Sequence, residues 1–153
     1  PDMRLLIVED EPTLGELLRR NLAARGFAVD LAASKSDAVG FLDVEDYDAV
    51  LLPGGVVNSD TIRTDKTAQK LVRAAADANK PIAVICHGGW LLISADLVEG
   101  KRMTSWPSLT DDLKNAGAEW VDEQVVVDGQ LISSRKPDDI PAFSQALIDA
   151  LSA

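Results

Sequence analysis

Cysteine, histidine and tyrosine each occur once in the 153 residues. The single cysteine, Cys86, cannot close an internal disulfide, and no leader precedes Met3, so a reducing cytoplasmic setting is expected. No apolar run approaches the roughly 18 residues that a membrane span requires, so insertion is not expected. Basic residues are in deficit, 15 Lys and Arg against 25 Asp and Glu, for a formal net charge of −10. That balance repels a phosphate backbone. No stripe of Lys and Arg interleaved with aromatics reverses it locally, so nucleic-acid binding is not expected either. Repeats, low-complexity stretches and linkers are also lacking.

What remains is an ordinary globular composition, 46% hydrophobic and 26% charged, at a length suited to one domain over residues 1–153. Pro1 and Asp2 read as a recombinant remnant ahead of Met3. Apolar runs bounded by turn residues alternate with segments of helical period, the pattern of a parallel sheet covered on both faces. Arg4 to Val8 reads as a strand. A helix from Thr13 follows, with Leu14, Leu17, Leu18 and Leu22 on one face and Gly26 closing it. Further strands are expected at 28–31, 48–52 (stopping at Pro53) and 81–85, with helices at 36–42, 66–79, 89–95 and 109–115. Asp128-Gly129 between two valine- and isoleucine-bearing runs signals a β-hairpin, and Pro141 opens a last helix carrying Phe143, Leu147 and Leu151. The fold class is α/β, a flavodoxin-like three-layer sandwich with a mainly parallel sheet and a C-terminal hairpin.

Cys86 lies where a buried strand ends and a helix begins, with glycine two residues on, the context of a nucleophile elbow at the crevice end of a parallel sheet. A thiol near a helix N-terminus can fall from about 8.5 toward 4 to 7, although carboxylates nearby act the other way.

Three motifs from Tyr47 onward are similar in order and spacing to the ThiJ/PfpI superfamily. They are Tyr-Asp-Ala-Val-Leu-Leu-Pro-Gly-Gly at 47–55, Ala-Val-Ile-Cys-His-Gly at 83–88 and Thr-Ser-Trp at 104–106. Asn-Ala-Gly-Ala at 115–118 and Ser-Arg-Lys-Pro at 134–137 resemble its PfpI-like branch. The resemblance implies a Cys86 nucleophile, His87 as its base, and an oxyanion hole from the amides of Gly54, Gly55 and His87, with Trp106 lining the pocket. It implies no cofactor. It also implies a glutamate just after the first strand. Glu16 is nearest in register, but Thr13-x-x-Glu16 reads equally as a capping box.

The front of the chain resembles a response-regulator receiver instead, through Met-Arg-Leu-Leu-Ile-Val-Glu-Asp-Glu-Pro at 3–12 and Leu-Ala-Ala-Arg-Gly-Phe at 22–27. The strand-three aspartate that would accept phosphate there is absent, so phosphotransfer is excluded. Glu9 and Asp10 remain weak candidates for a cation, with no metal expected. The two resemblances together suggest an engineered chimera. A receiver-like piece at about 3–43 would be joined near 38–46 to a PfpI-like piece at about 44–153, with no selected activity. The alternative is a working ThiJ/PfpI-type cysteine enzyme, glyoxalase-like or peptidase-like, on a small carbonyl or peptide substrate. A homo-oligomer is compatible with either.

Overall fold

The computed structural model describes residues 3–9, 12–32 and 47–152. The second helix expected at 36–42, the expected seam, Asp10 and residues 1–2 lie outside them.

The described elements run β1 (Arg4–Val8), α1 (Pro12–Ala23), β2 (Ala28–Ala32), β3 (Ala49–Gly54), α2 (Val56–Ile62), α3 (Lys66–Asp77), β4 (Ile82–Cys86) and α4 (Gly89–Ser94). They continue with β5 (Arg102–Met103), α5 (Thr110–Asn115), β6 (Glu119–Trp120), β7 (Val125–Asp128), β8 (Leu131–Ser134) and α6 (Ile140–Ser152). Six strands form the main sheet in the order β2-β1-β3-β4-β8-β7, parallel except for β7, which pairs antiparallel with β8. This is the expected flavodoxin-like arrangement.

Alternation along the central strands builds two separate cores. Leu5, Ile7, Ala49, Leu51, Ala83 and Ile85 face a layer containing α1 and α6, where Leu18, Leu22, Phe143 and Leu147 are almost fully buried. Leu6, Val8, Val50, Leu52, Ile82 and Val84 face the other way, onto Val72 of α3, Leu91 and Leu92 of α4 and Leu113 of α5. Strands buried on both faces are therefore apolar nearly throughout, as a helix-covered parallel sheet demands.

Several expectations need correction. Leu17 is 52% exposed. The stripe that meets the sheet repeats every four residues through Leu14, Leu18 and Leu22, which leaves Leu17 a quarter-turn to the side. Pro53 does not end β3. The β1 ladder reaches only Leu51, whereas β3 continues beside β4 with Pro53 opposite Ile85 and Gly54 opposite Cys86. With one flank no longer laddered, a residue lacking an N–H is accommodated. Helix α2 and the two-residue strands β5 and β6 were not anticipated. None of the described helices is long and apolar enough to cross a membrane.

Candidate active site

The turn from β4 into α4 is held in a conformation that side-chain-bearing residues rarely adopt. Cys86 has φ of +58°, which costs of order 1–3 kcal/mol unless its surroundings enforce it. They do so through hydrogen bonds on every side. The Gly88 amide donates to the Ile85 carbonyl at 3.1 Å, the His87 amide to Gly54 at 3.3 Å, the Trp90 amide to His87 at 3.1 Å and the Trp106 amide to the Cys86 carbonyl at 3.0 Å. Two glycines make this close approach feasible. A Cβ on Gly88 would overlap the Leu52 carbonyl oxygen, and one on Gly54 would overlap the Ser59 hydroxyl and the Gly88 amide nitrogen.

Cys86 is 8% exposed and packs in the α1/α6 core. Burial pushes its thiol up to about 11, and the charges of Glu9 and then Asp139 act in the same direction. Desolvation therefore outweighs whatever the six-residue helix α4 offers, and the resting group is a thiol. Burial also lowers the His87 imidazole from its ordinary value, against an opposing hydrogen bond to the Gly54 backbone, so the ring is neutral near pH 7. His87 lies between two indoles. Its ring stacks on Trp106 at 5.9 Å and 26°, and meets Trp90 at 5.4 Å and 57°.

The two glutamates after β1 have unlike surroundings. Glu9, at the end of β1, is 2% exposed, with Oε1 3.8 Å from where a Gly55 Cβ would stand. Its amide donates to Ala32 at 3.0 Å, extending the β1–β2 ladder and fixing the side chain at the crevice where β1 and β3 diverge. Glu16 is instead on the outer part of α1, bonded by Arg19 Nε at 2.8 Å and Arg20 Nε at 3.1 Å. Those arginines, Arg19 first, hold its carboxyl down at about 2. The capping box is not formed: α1 already begins at Pro12, which places Thr13 inside the helix. Neither role expected for Glu16 matches this placement, and among the described residues the carboxylate whose charge reaches Cys86 from the front of the chain is Glu9.

The structure thus brings together Cys86, His87, Gly54, Gly55 and Trp106, and adds Glu9 and Asp139. Asp139 is 2% exposed and receives Arg135 through Nε at 3.0 Å and Nη2 at 3.1 Å. Burial alone would raise its carboxyl, but the hydrogen bonds of Arg135 outweigh that and keep it ionised. The sequence signal for this pair was the four-residue spacing of an arginine and an aspartate. As a cation site, Glu9 faces glycine backbone, and among the described residues no three His, Cys, Asp or Glu side chains gather.

Comparison with known proteins places these residues in context. Residues 19–150 match the model of the DJ-1/PfpI family. The chain is 45% identical over 109 residues to the protein/nucleic acid deglycase 2 of Escherichia coli, a match covering 71% of this chain and 63% of that relative. It is 43% identical over 107 residues to the deglycase PH1704 of Pyrococcus horikoshii, covering 70% of this chain and 64% of the other. The YraA protein of Bacillus subtilis is 37% identical over a match covering 81% of this chain and 80% of its own. Matches to the first two thus span less than two-thirds of the relatives. Among solved structures, a two-domain protein from Anabaena variabilis with DJ-1/ThiJ/PfpI-like and ferritin-like domains superposes with a TM-score of 0.84 at 28% identity. It covers 99% of this chain and 48% of that one. Drosophila melanogaster DJ-1beta does so at 0.85 and 23% identity, covering 99% and 91%.

These findings overturn the receiver resemblance, and with it the engineered, recombinant chimera lacking selected activity. The family match begins upstream of the expected seam, and the superposed folds include the front of the chain. The physical cause of the misreading is that a strand, an acidic turn and a leucine-striped helix suit the opening βα unit of any such sheet. Here β1 is laddered to β2 and β3 on its two sides, integral to the sheet.

Proposed function

This chain belongs to the DJ-1/PfpI family, and from that premise we propose that it is a cysteine-dependent enzyme acting on carbonyl adducts of peptides, a deglycase-like hydrolase with Cys86 as nucleophile. The observation that carries this reading is the enforced positive φ of Cys86 beside a neutral imidazole at the crevice end of the sheet. The names of the Escherichia coli and Pyrococcus relatives support the substrate class. A nucleic-acid substrate, included in the first of those names, is opposed by the net charge of −10.

Thiol and imidazole are both neutral at rest, so proton transfer accompanies bond formation rather than preceding it. Sγ bonds to the substrate carbonyl carbon as its proton passes to His87, and the carbonyl π pair moves onto oxygen. The Gly55 amide is the oxyanion donor in this scheme. The His87 amide joins it by exchanging its long bond to the Gly54 carbonyl, 3.3 Å at rest, for the developing charge. As the carbonyl re-forms, the C–N bond breaks and the imidazolium gives its proton to the departing nitrogen, leaving a thioester on Sγ. Water, losing a proton to His87, then attacks that carbon, and the S–C bond breaks with return of the proton to sulfur, releasing the acid and restoring the thiol. Glu9 is the carboxylate that, after burial, does most to keep the thiol protonated.

The test offers methylglyoxal, a methylglyoxal-treated peptide and the untreated peptide to the wild type and to Cys86→Ser. The expected result is fastest turnover of the treated peptide and a loss on the order of 10³-fold or more in the variant. Equal rates in the two proteins, or no turnover by the wild type, would sink the proposal.

A further inference from the structure

The aromatic cluster around His87 contains two indoles whose outer faces are covered differently. Trp90 carries the guanidinium of Arg63 at 5.5 Å from its ring centroid, and its Nε1–H donates to Asp112 Oδ2 at 3.0 Å. Arg63 is itself anchored by Nε donating to Ser94 Oγ at 3.1 Å. The cluster therefore already accommodates one guanidinium against an indole edged by a carboxylate. Trp106 is 40% exposed, and its ring contact among the described residues is to His87 alone. The amide bond to the Cys86 carbonyl fixes its backbone beside the nucleophile.

An indole face attracts cations more strongly than the other aromatic side chains do. A planar, weakly hydrated guanidinium stacks there better than a compact, strongly hydrated ammonium. The inner ring against Trp106 is a neutral imidazole, so that face meets no resident cation. Asp111 and Asp112 open α5 just beyond Trp106, and the net charge of −10 draws cationic ligands inward.

We infer that the outer face of Trp106 is a subsite for the planar guanidinium of an arginine side chain in a peptide substrate. The enzyme would thus prefer adducts carried on or beside arginine to those on lysine. This rests on the reading of Cys86 as the reacting group for its meaning, but its test does not require turnover.

The full chain carrying Cys86→Ala is titrated with Nα-acetyl-arginine N-methylamide, with the citrulline analogue, which is planar and uncharged, and with the lysine analogue. Binding is followed by tryptophan fluorescence and by the imidazole proton resonances of His87. The arginine ligand is expected to bind about 3- to 30-fold more tightly than either of the others. Trp106→Leu should abolish that preference and Trp106→Phe should retain most of it. Equal affinities for the three ligands, a preference surviving in Trp106→Leu, or no saturable binding of the arginine ligand would overturn the subsite. The preference found intact in a protein whose wild type turns nothing over upholds the subsite and counts against the reaction alone.

Discussion

The two ends of β4 are built on opposite principles. At the Ile82 end the backbone is regular, and a small cleft is lined by Ala76, Ile82, Leu92, Leu97 and Leu131 with Lys101 and Gln130 at its rim. The polar side chain there serves to tie the backbone down, as the Gln130 amide group donates to the Lys80 carbonyl at 2.9 Å. Four residues on, at Cys86, the same strand ends in a positive φ, two glycines with no room for a methyl group, and two buried carboxylates within electrostatic reach of a thiol. One end is optimised for burial, while the other departs from local preference at nearly every residue. Departures concentrated in one place are expected of a working site, since strain and buried charge persist only where something maintains them.

That contrast can be broken by substitution. The largest effect is expected from Gly88→Ala, whose new methyl group meets a backbone carbonyl that no rotamer change can move. It should cost about 4 kcal/mol or more in a denaturant melt and lose Cys86 alkylation chemistry in whatever fraction folds. Ile82→Ala at the opposite end should cost about 3 kcal/mol through the cavity it leaves. It should nonetheless preserve the pH profile of iodoacetamide alkylation at Cys86, and a profile displaced as far as in the Gly88 variant would show that the two ends are not separable.

The smallest effect is the most specific. Glu9→Gln removes a negative charge that disfavours the thiolate, so the alkylation midpoint should move down from about 11, raising the rate at any pH below it. Glu16→Gln, out on the α1 surface, should leave that midpoint in place. An unmoved midpoint in the Glu9 variant would mean that burial and Asp139 set the acidity of Cys86 without it.

Much of this frame was legible from periodicity. Strands β1 and β4 and the hairpin at Asp128-Gly129 all stood out, because long apolar runs and an unambiguous turn pair are strong local signals. Helix α2 was hidden by Val56-Val57, a β-branched pair that reads as strand, and it forms because tertiary packing overrides propensity. Two-residue strands such as Arg102–Met103 are too short to show a period. At the site, Cys86, His87, Gly54, Gly55 and Trp106 were all legible as neighbours, since they lie on turns at the same edge of one sheet. Glu9 was harder to interpret. In the run Glu9-Asp10-Glu11 it looks like part of a solvated acidic loop, and only its position at the end of a doubly laddered strand turns it inward. Glu16 attracted attention for the converse reason: its register relative to β1 was suggestive, but its four-residue neighbour Arg20 and its three-residue neighbour Arg19 claim it on its own helix.

The bond from the Trp106 amide to the Cys86 carbonyl ties the segment after β5 to the turn after β4. Without it, the Cys86 carbonyl would lose that donor beside a residue whose positive φ has to be enforced by its surroundings. The backbone that carries the exposed indole is thus one of the restraints on the turn at Cys86, so the rim of the crevice and its floor share a single seam.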